Sequence, residues 1–214
     1  MLERLTRPVL IVVDMQNDFV RAGAPLEVPA ARGTVPAIAG LIEAFRAAAH
    51  VVVFTRYVAD PAYRHLAERL EWLARLEPPV CACVPGTMRG FADRNEPLEG
   101  VAIIDELHPS PDDVVIDKSY YSAFHGTGLD DLLKARGVDC VVIAGTVTEM
   151  CVEDTARHAV HFGYPTVLVG DGVSSNDTEI HRNTLTAFER NYGWVIDTQP
   201  LIDSFFPASA HDTS

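Results

Sequence analysis

Three side chains of this 214-residue chain, Asp14, Lys118 and Cys151, are of the types needed to cleave an amide. That reaction takes a nucleophile for the carbonyl carbon, a proton carrier for the departing nitrogen, and donors for the oxyanion. Cys151 can be the nucleophile and Asp14 the proton carrier. Lys118 can make their two anionic charges tolerable in a dry pocket. Each lies at or just past the end of an apolar, β-branched run: VLIVV before Asp14, VVID before Lys118 and VVIA before the turn that leads to Cys151. Of 17 basic residues only two, Lys118 and Lys134, are lysines. Lysine kept at a strand end in an arginine-using chain points to a need for a compact ammonium.

The segment VVIAGTVTEMCVEDTARH, residues 141–158, reads as a buried strand, a turn at Gly145 and a helix. Thr148 is the expected N-cap. Cys151 then falls near the third helical position, where amides without intrahelical partners and the helix dipole would stabilise a thiolate.

The elements that must position these residues alternate. Strands are expected at 9–13, 51–55, 114–117, 141–144, 166–169 and 194–196. Helices are expected at 34–50 (capped by Thr34), 63–76 (Leu66, Leu70, Leu73 and Leu76 on one face), 129–136 (closed by Gly137) and 177–192. Residues 77–100, rich in Pro and Gly, read as an irregular excursion of the kind that is functional or wraps a partner. Strands alternating with helices predict an α/β fold, a parallel sheet with helices on both faces. Ligands of such sheets bind beyond the strand C-termini where the strand order reverses. One domain over 1–206 with a disordered tail at 207–214 is expected.

Composition narrows the function. With 48% hydrophobic and 22% charged residues the chain suits one sizeable core. A net charge of -13 argues against nucleic acid or an anionic membrane as the main partner. No run approaches the length of a membrane span. The four cysteines, Cys81, Cys83, Cys140 and Cys151, do not form a disulfide framework, and a reducing cytoplasm is expected. The turn after the first strand lacks the GxGxxG of a dinucleotide-binding module.

Asp14 in VVDMQNDF, Lys118 in VIDKSYYSAFHGTGLD and Cys151 in GTVTEMCVEDTARHA together resemble the Asp-Lys-Cys set of the isochorismatase-like cysteine hydrolases. The similarity runs in order from about residue 8 to 197. It implies a three-layer, Rossmann-like fold whose six-stranded parallel sheet has the order 3-2-1-4-5-6, and a homodimer or homotetramer. It also implies a cis peptide between Thr146 and Val147, with the N–H groups of Val147 and Cys151 as the oxyanion hole. The implied activity is C–N hydrolysis of a small carboxamide or ureido compound through a thioacyl-enzyme, with no cofactor. The presence of the cysteine favours amide hydrolysis over the vinyl ether cleavage of true isochorismatases, some of which lack it. A non-catalytic module of this fold would be expected to lose one of the three residues.

The nicotinamidase branch binds a metal through an Asp-x-His and a further His after the second strand. The matching TRYVADPAYRH offers Asp60 and His65 without that spacing, and His158 and His161 have no evident third ligand, so no metal is expected. Candidate substrate contacts are Arg56 (for a carboxylate) and Tyr57 (for a planar group) past the second strand, and Tyr121 and His125 after Lys118.

Overall fold

The computed structural model describes residues 5–206, with the backbone alone at residue 64. The expected tail lies outside the described residues. Six strands form one parallel sheet: β1 (Pro8–Val13), β2 (Val51–Tyr57), β3 (Val114–Lys118), β4 (Cys140–Thr146), β5 (Thr166–Ser174) and β6 (Trp194–Ile196). Their order is β3-β2-β1-β4-β5-β6, as the resemblance implies. The order reverses between β1 and β4, which pair directly from Pro8↔Cys140 to Val13↔Gly145.

Every residue of β1 is buried, because side chains alternate between two covered faces. Leu10 and Val12 point with Phe54, Val142 and Val167 toward helices α2 (Ala31–Ala47) and α7 (Thr198–Phe205). Val9, Ile11 and Val13 point with Val53, Val141 and Ile143 toward α4 (Leu129–Ala135), α5 (Glu153–His161) and α6 (Thr178–Asn191).

Several elements differ from the sequence expectation. Helix α2 begins at Ala31, so Thr34 is not its cap; the Thr34 hydroxyl donates to the Ala31 carbonyl from inside the first turn. The 63–76 helix does not form. Residues Pro61–Leu66 make 3-10 turns and only Glu71–Ala74 is α-helical (α3). Leu73 and Leu76 are nonetheless buried, and Leu66 and Leu70 pack on the same core. The apolar spacing is satisfied by a wrapped segment that turns Trp72 edge-on to Tyr57, so tertiary packing overrides the local periodicity.

Strand β5 continues past its apolar start through Gly170-Asp171-Gly172 to Ser174. Asp171 then accepts from the Thr198 amide and hydroxyl at 2.8 Å each, anchoring α7, a helix with no clear signal in the sequence.

The 77–100 excursion folds back under the β1 exit. Asp18, in the short helix α1 (Asn17–Val20), accepts from the Cys83 amide at 2.7 Å and pairs with Arg89 at 2.8 Å. Two short strands of the excursion, Met88–Arg89 and Leu98–Glu99, pair antiparallel. Among the described residues no helix is long and apolar enough to cross a membrane.

Candidate active site

Strand β1 leads directly into Asp14, whose φ of 50° lies in the left-handed region that non-glycine residues seldom adopt. The side chain is fully buried. Thr55 of β2 holds it from both ends: the Asp14 amide donates to Thr55 Oγ1 at 3.2 Å, and that hydroxyl donates to Asp14 Oδ1 at 2.7 Å. Lys118, the last residue of β3, stands beside Tyr57 of β2 and is 2% exposed.

The Lys118 Nζ lies 2.7 Å from Asp14 Oδ2, 3.3 Å from Cys151 Sγ and 2.9 Å from the Tyr120 carbonyl oxygen. The ammonium thus forms an ion pair with Asp14 and donates to the Cys151 sulfur and the Tyr120 carbonyl. The Tyr57 ring lies alongside, its centroid 5.4 Å from Nζ.

Cys151 reaches this group by a tightly constrained turn. Gly145 has φ 118°, and a Cβ there would lie 2.1 Å from the Val13 carbonyl oxygen, so only glycine fits between β4 and β1. The Thr146–Val147 peptide is cis. Residues Thr148–Val152 form a π-helical turn, with the Val152 and Met150 amides both donating to the Val147 carbonyl. Such turns recur at functional sites.

The expected N-cap at Thr148 is therefore corrected. Its hydroxyl pairs with His181 Nδ1 at 2.8 Å, and regular helix begins only at Glu153, after the cysteine. Cys151 is 7% exposed. Burial pushes its thiol well above the ordinary range, Lys118 draws it down, and Asp14 raises it again. Burial wins, so the resting sulfur is a thiol rather than the thiolate that a helix N-terminus would favour. Burial alone would lower Lys118, but the Asp14 carboxylate and the hydrogen bonds to Asp14 and Cys151 outweigh it and hold the ammonium above its usual value.

A cavity of about 410 Å³ opens onto Cys151 and Val147. That volume suits a small molecule. Tyr57 and Tyr121 line it, together with Phe19, Leu70, Trp72 and Met150. Arg56 and His125 do not line it. Arg56 is held by Asp117 of the neighbouring strand through two hydrogen bonds of 2.7 and 2.9 Å. His125 is exposed and meets the Tyr63 hydroxyl at 3.3 Å. The expectation for these two residues is corrected: alternation along β2 sends Arg56 and Tyr57 to opposite sides, and only Tyr57 reaches the cavity.

Among the described residues no three His, Cys, Asp or Glu side chains gather as metal ligands. Asp60 accepts from the Ala62 amide and His65 Nδ1 meets the Ala62 carbonyl oxygen, so this pair does not fit the metal of the nicotinamidase branch.

Sequence reading missed Thr55, Trp72 and Gln16, the last of which bonds both the amide and the carbonyl of Tyr57 and so extends the β1–β2 pairing through its side chain. The polar Gln16 directly after a buried strand was the available signal.

A family model described as the isochorismatase domain matches residues 8–200. The ureidoacrylate amidohydrolase of Variovorax paradoxus is 32% identical over 94% of this chain and 82% of its own length. The maleamate amidohydrolase of Pseudomonas putida is 32% identical over 90% of this chain and 84% of its own. Among solved structures, a cysteine hydrolase from Pseudomonas syringae pv. phaseolicola superposes with a TM-score of 0.79 at 30% identity, covering 93% of this chain and 92% of that one. With its β3-β2-β1-β4-β5-β6 sheet, the chain belongs to the isochorismatase-like hydrolase family and is an enzyme of that family.

Proposed function

We propose that the protein is a cysteine-dependent amidohydrolase that cleaves the C–N bond of a small carboxamide or ureido compound. The observation that carries this reading is Lys118 Nζ bridging Asp14 Oδ2 at 2.7 Å and Cys151 Sγ at 3.3 Å, with Cys151 lining a ligand-sized cavity. The amidohydrolase relatives, one acting on a ureido compound and one on maleamate by their names, support it.

Asp14 takes the thiol proton as Cys151 Sγ attacks the carbonyl carbon, and Lys118 steadies both charges while the proton is in transit. The Val147 and Cys151 amides donate to the oxyanion. As the tetrahedral adduct collapses, the C–N bond breaks, Asp14 returns the proton to nitrogen, and ammonia or amine leaves. A water then gives its proton to Asp14 and attacks the thioester, or the thiocarbamate of a ureido substrate. The C–S bond breaks, the acid leaves and the sulfur regains its proton. A buried neutral thiol makes Asp14 necessary, because no thiolate is available in advance.

The test is ammonia release over small carboxamides and ureido acids by wild type and Cys151→Ala, with intact-protein mass spectrometry. Turnover with a transient adduct, both absent from the variant, is expected. Full turnover by Cys151→Ala would remove the sulfur from the mechanism.

A further inference from the structure

The cavity beside Cys151 is walled by aromatic and aliphatic side chains, and its ionisable residues other than the cysteine and the two tyrosines are Glu27, Arg69, Glu71 and Arg75. Three of these four have partners. Glu27 accepts from Arg32 at 2.8 Å and from the Gly23 amide at 2.9 Å. Arg75 donates to the Pro25 carbonyl at 2.7 Å and faces Glu71 at 3.6 Å. Among the described residues, the Arg69 guanidinium has no acidic partner.

A second polar group is also unmatched. The Tyr57 hydroxyl, in a residue 1% exposed on the same cavity wall, has no hydrogen-bond partner among the described residues. A buried hydroxyl without a partner is costly, which marks a position where a bound molecule supplies one.

We infer that the substrate carries a carboxylate away from its scissile amide and that Arg69 binds it, with Tyr57 bonding the substrate nearer the thiol. This rests on the amidohydrolase reading and narrows its substrate class to amide or ureido acids. The net charge of -13 gives an anion no general attraction to this protein, so a local cation is needed. A guanidinium fits because its planar fork pairs both carboxylate oxygens at once. Arg56, the arginine nearer in sequence to the second strand's end, is committed to Asp117.

The experiment compares maleamate with its neutral methyl ester on wild type, Arg69→Gln, Arg69→Lys and Arg56→Gln. Binding is also measured calorimetrically on Cys151→Ala, where no turnover interferes. In wild type, maleamate is expected to have the lower KM. Arg69→Gln should raise the maleamate KM about tenfold or more with kcat little changed, a loss worth about 1.4 kcal/mol per tenfold. Its KM for the ester should stay the same. Arg69→Lys should recover part of the loss, and Arg56→Gln should behave as wild type.

Equal losses on acid and ester, or none on either, would overturn the assignment of Arg69. So would failure of Cys151→Ala to bind maleamate more tightly than the ester. Hydrolysis of both compounds with equal KM would sink the carboxylate inference while leaving the amidohydrolase reading intact. Selective, Arg69-dependent binding of maleamate without hydrolysis would do the reverse.

Discussion

Thr55 grips Asp14 twice, accepting from its amide at 3.2 Å and donating to its carboxylate at 2.7 Å, with both residues fully buried. The pairing follows from the parallel register of β1 and β2, which sets Val12 opposite Phe54 and so lets Asp14, just past the end of β1, reach Thr55, the residue after Phe54. It fixes the rotamer of the carboxylate and leaves Oδ2 for Lys118. Thr55→Val keeps the shape but deletes the hydroxyl. Leaving a buried amide and carboxylate oxygen without this partner should cost about 1–3 kcal/mol of stability. It should also lower kcat by about tenfold to a hundredfold with little change in KM. Thr55→Ser should restore most of the rate. A rise in KM alone, or no rescue by serine, would show that Thr55 contributes only to packing.

The sheet and the meeting of Asp14, Lys118 and Cys151 at its edge were legible because strand runs such as VLIVV and VVIA are short, β-branched and bounded by polar residues. Strand-end position then told which side chains gather at one edge. Contacts made through register rather than through local pattern were not legible. Thr55 looks like any threonine at the close of a strand, and Arg56 and Tyr57 are equally plausible neighbours of a ligand until the pleat assigns them to opposite faces. Leucine periodicity over 63–76 was real but served a wrapped segment, because Trp72 packs against Tyr57 and Tyr121 rather than continuing a helix.

Buried Cys151 should react as a thiol in the free enzyme. With its folded pKa raised above the ordinary value of 9.0, the group stays protonated through neutral pH, and ionisation is deferred to more alkaline conditions. Inactivation by iodoacetamide should therefore keep rising from about pH 6 to about pH 9 with no plateau, unlike a cysteine already ionised near neutrality. A flat profile across that range would mean that Lys118 overcomes burial and the resting state is a thiolate. Since the shift is upward, the stability linked to this group is complete below the ordinary thiol value and is lost as pH rises through the folded one.

Lys118→Arg should be damaging although the charge is kept. The ammonium is 2.7 Å from one partner and 3.3 Å from the other, and a planar guanidinium cannot occupy the same space. A kcat loss on the order of a hundredfold is expected, with iodoacetamide inactivation displaced to higher pH. Lys118→Met is less informative, because an unpaired buried Asp14 would itself destabilise the fold by about 3–5 kcal/mol. Near-normal rates in Lys118→Arg would show that only the charge matters.

Gly145→Ala tests whether the cysteine turn is set by the approach of β4 to β1. The new Cβ would fall 2.1 Å from the Val13 carbonyl oxygen at a φ of 118°, and a backbone atom cannot move aside as a flexible side chain can. Destabilisation on the order of 3 kcal/mol or more is expected, from strain combined with a steric clash. Gly163→Ala is the control: it shares the left-handed φ, at 89°, but has open space around it, and should cost less. Equal melting temperatures for the two variants would show that conformation, not the Val13 contact, decides.

Chelation separates a metal-free cysteine hydrolase from a nicotinamidase-like enzyme that needs an ion. A bound divalent metal requires several ligands at about 2.0–2.2 Å, drawn from His, Cys and carboxylate groups close together. At the end of β2 this chain instead places Arg56, Tyr57 and Val58, and Arg56 is neutralised by Asp117 rather than by a metal-binding neighbour. Asp60 and His65 are turned to the Ala62 backbone. Asp14 already has Lys118 on one oxygen and Thr55 on the other, and that ammonium would repel a cation. Prolonged dialysis against chelator should therefore leave kcat and KM unchanged, and elemental analysis of the active protein should find no stoichiometric zinc, iron or manganese. Loss of activity restored by one added metal would overturn this and demand a ligand set assembled by movement of the 61–76 segment. Iodoacetamide must be run alongside, since alkylation of Cys151 stops either kind of enzyme and only the chelation arm tells them apart.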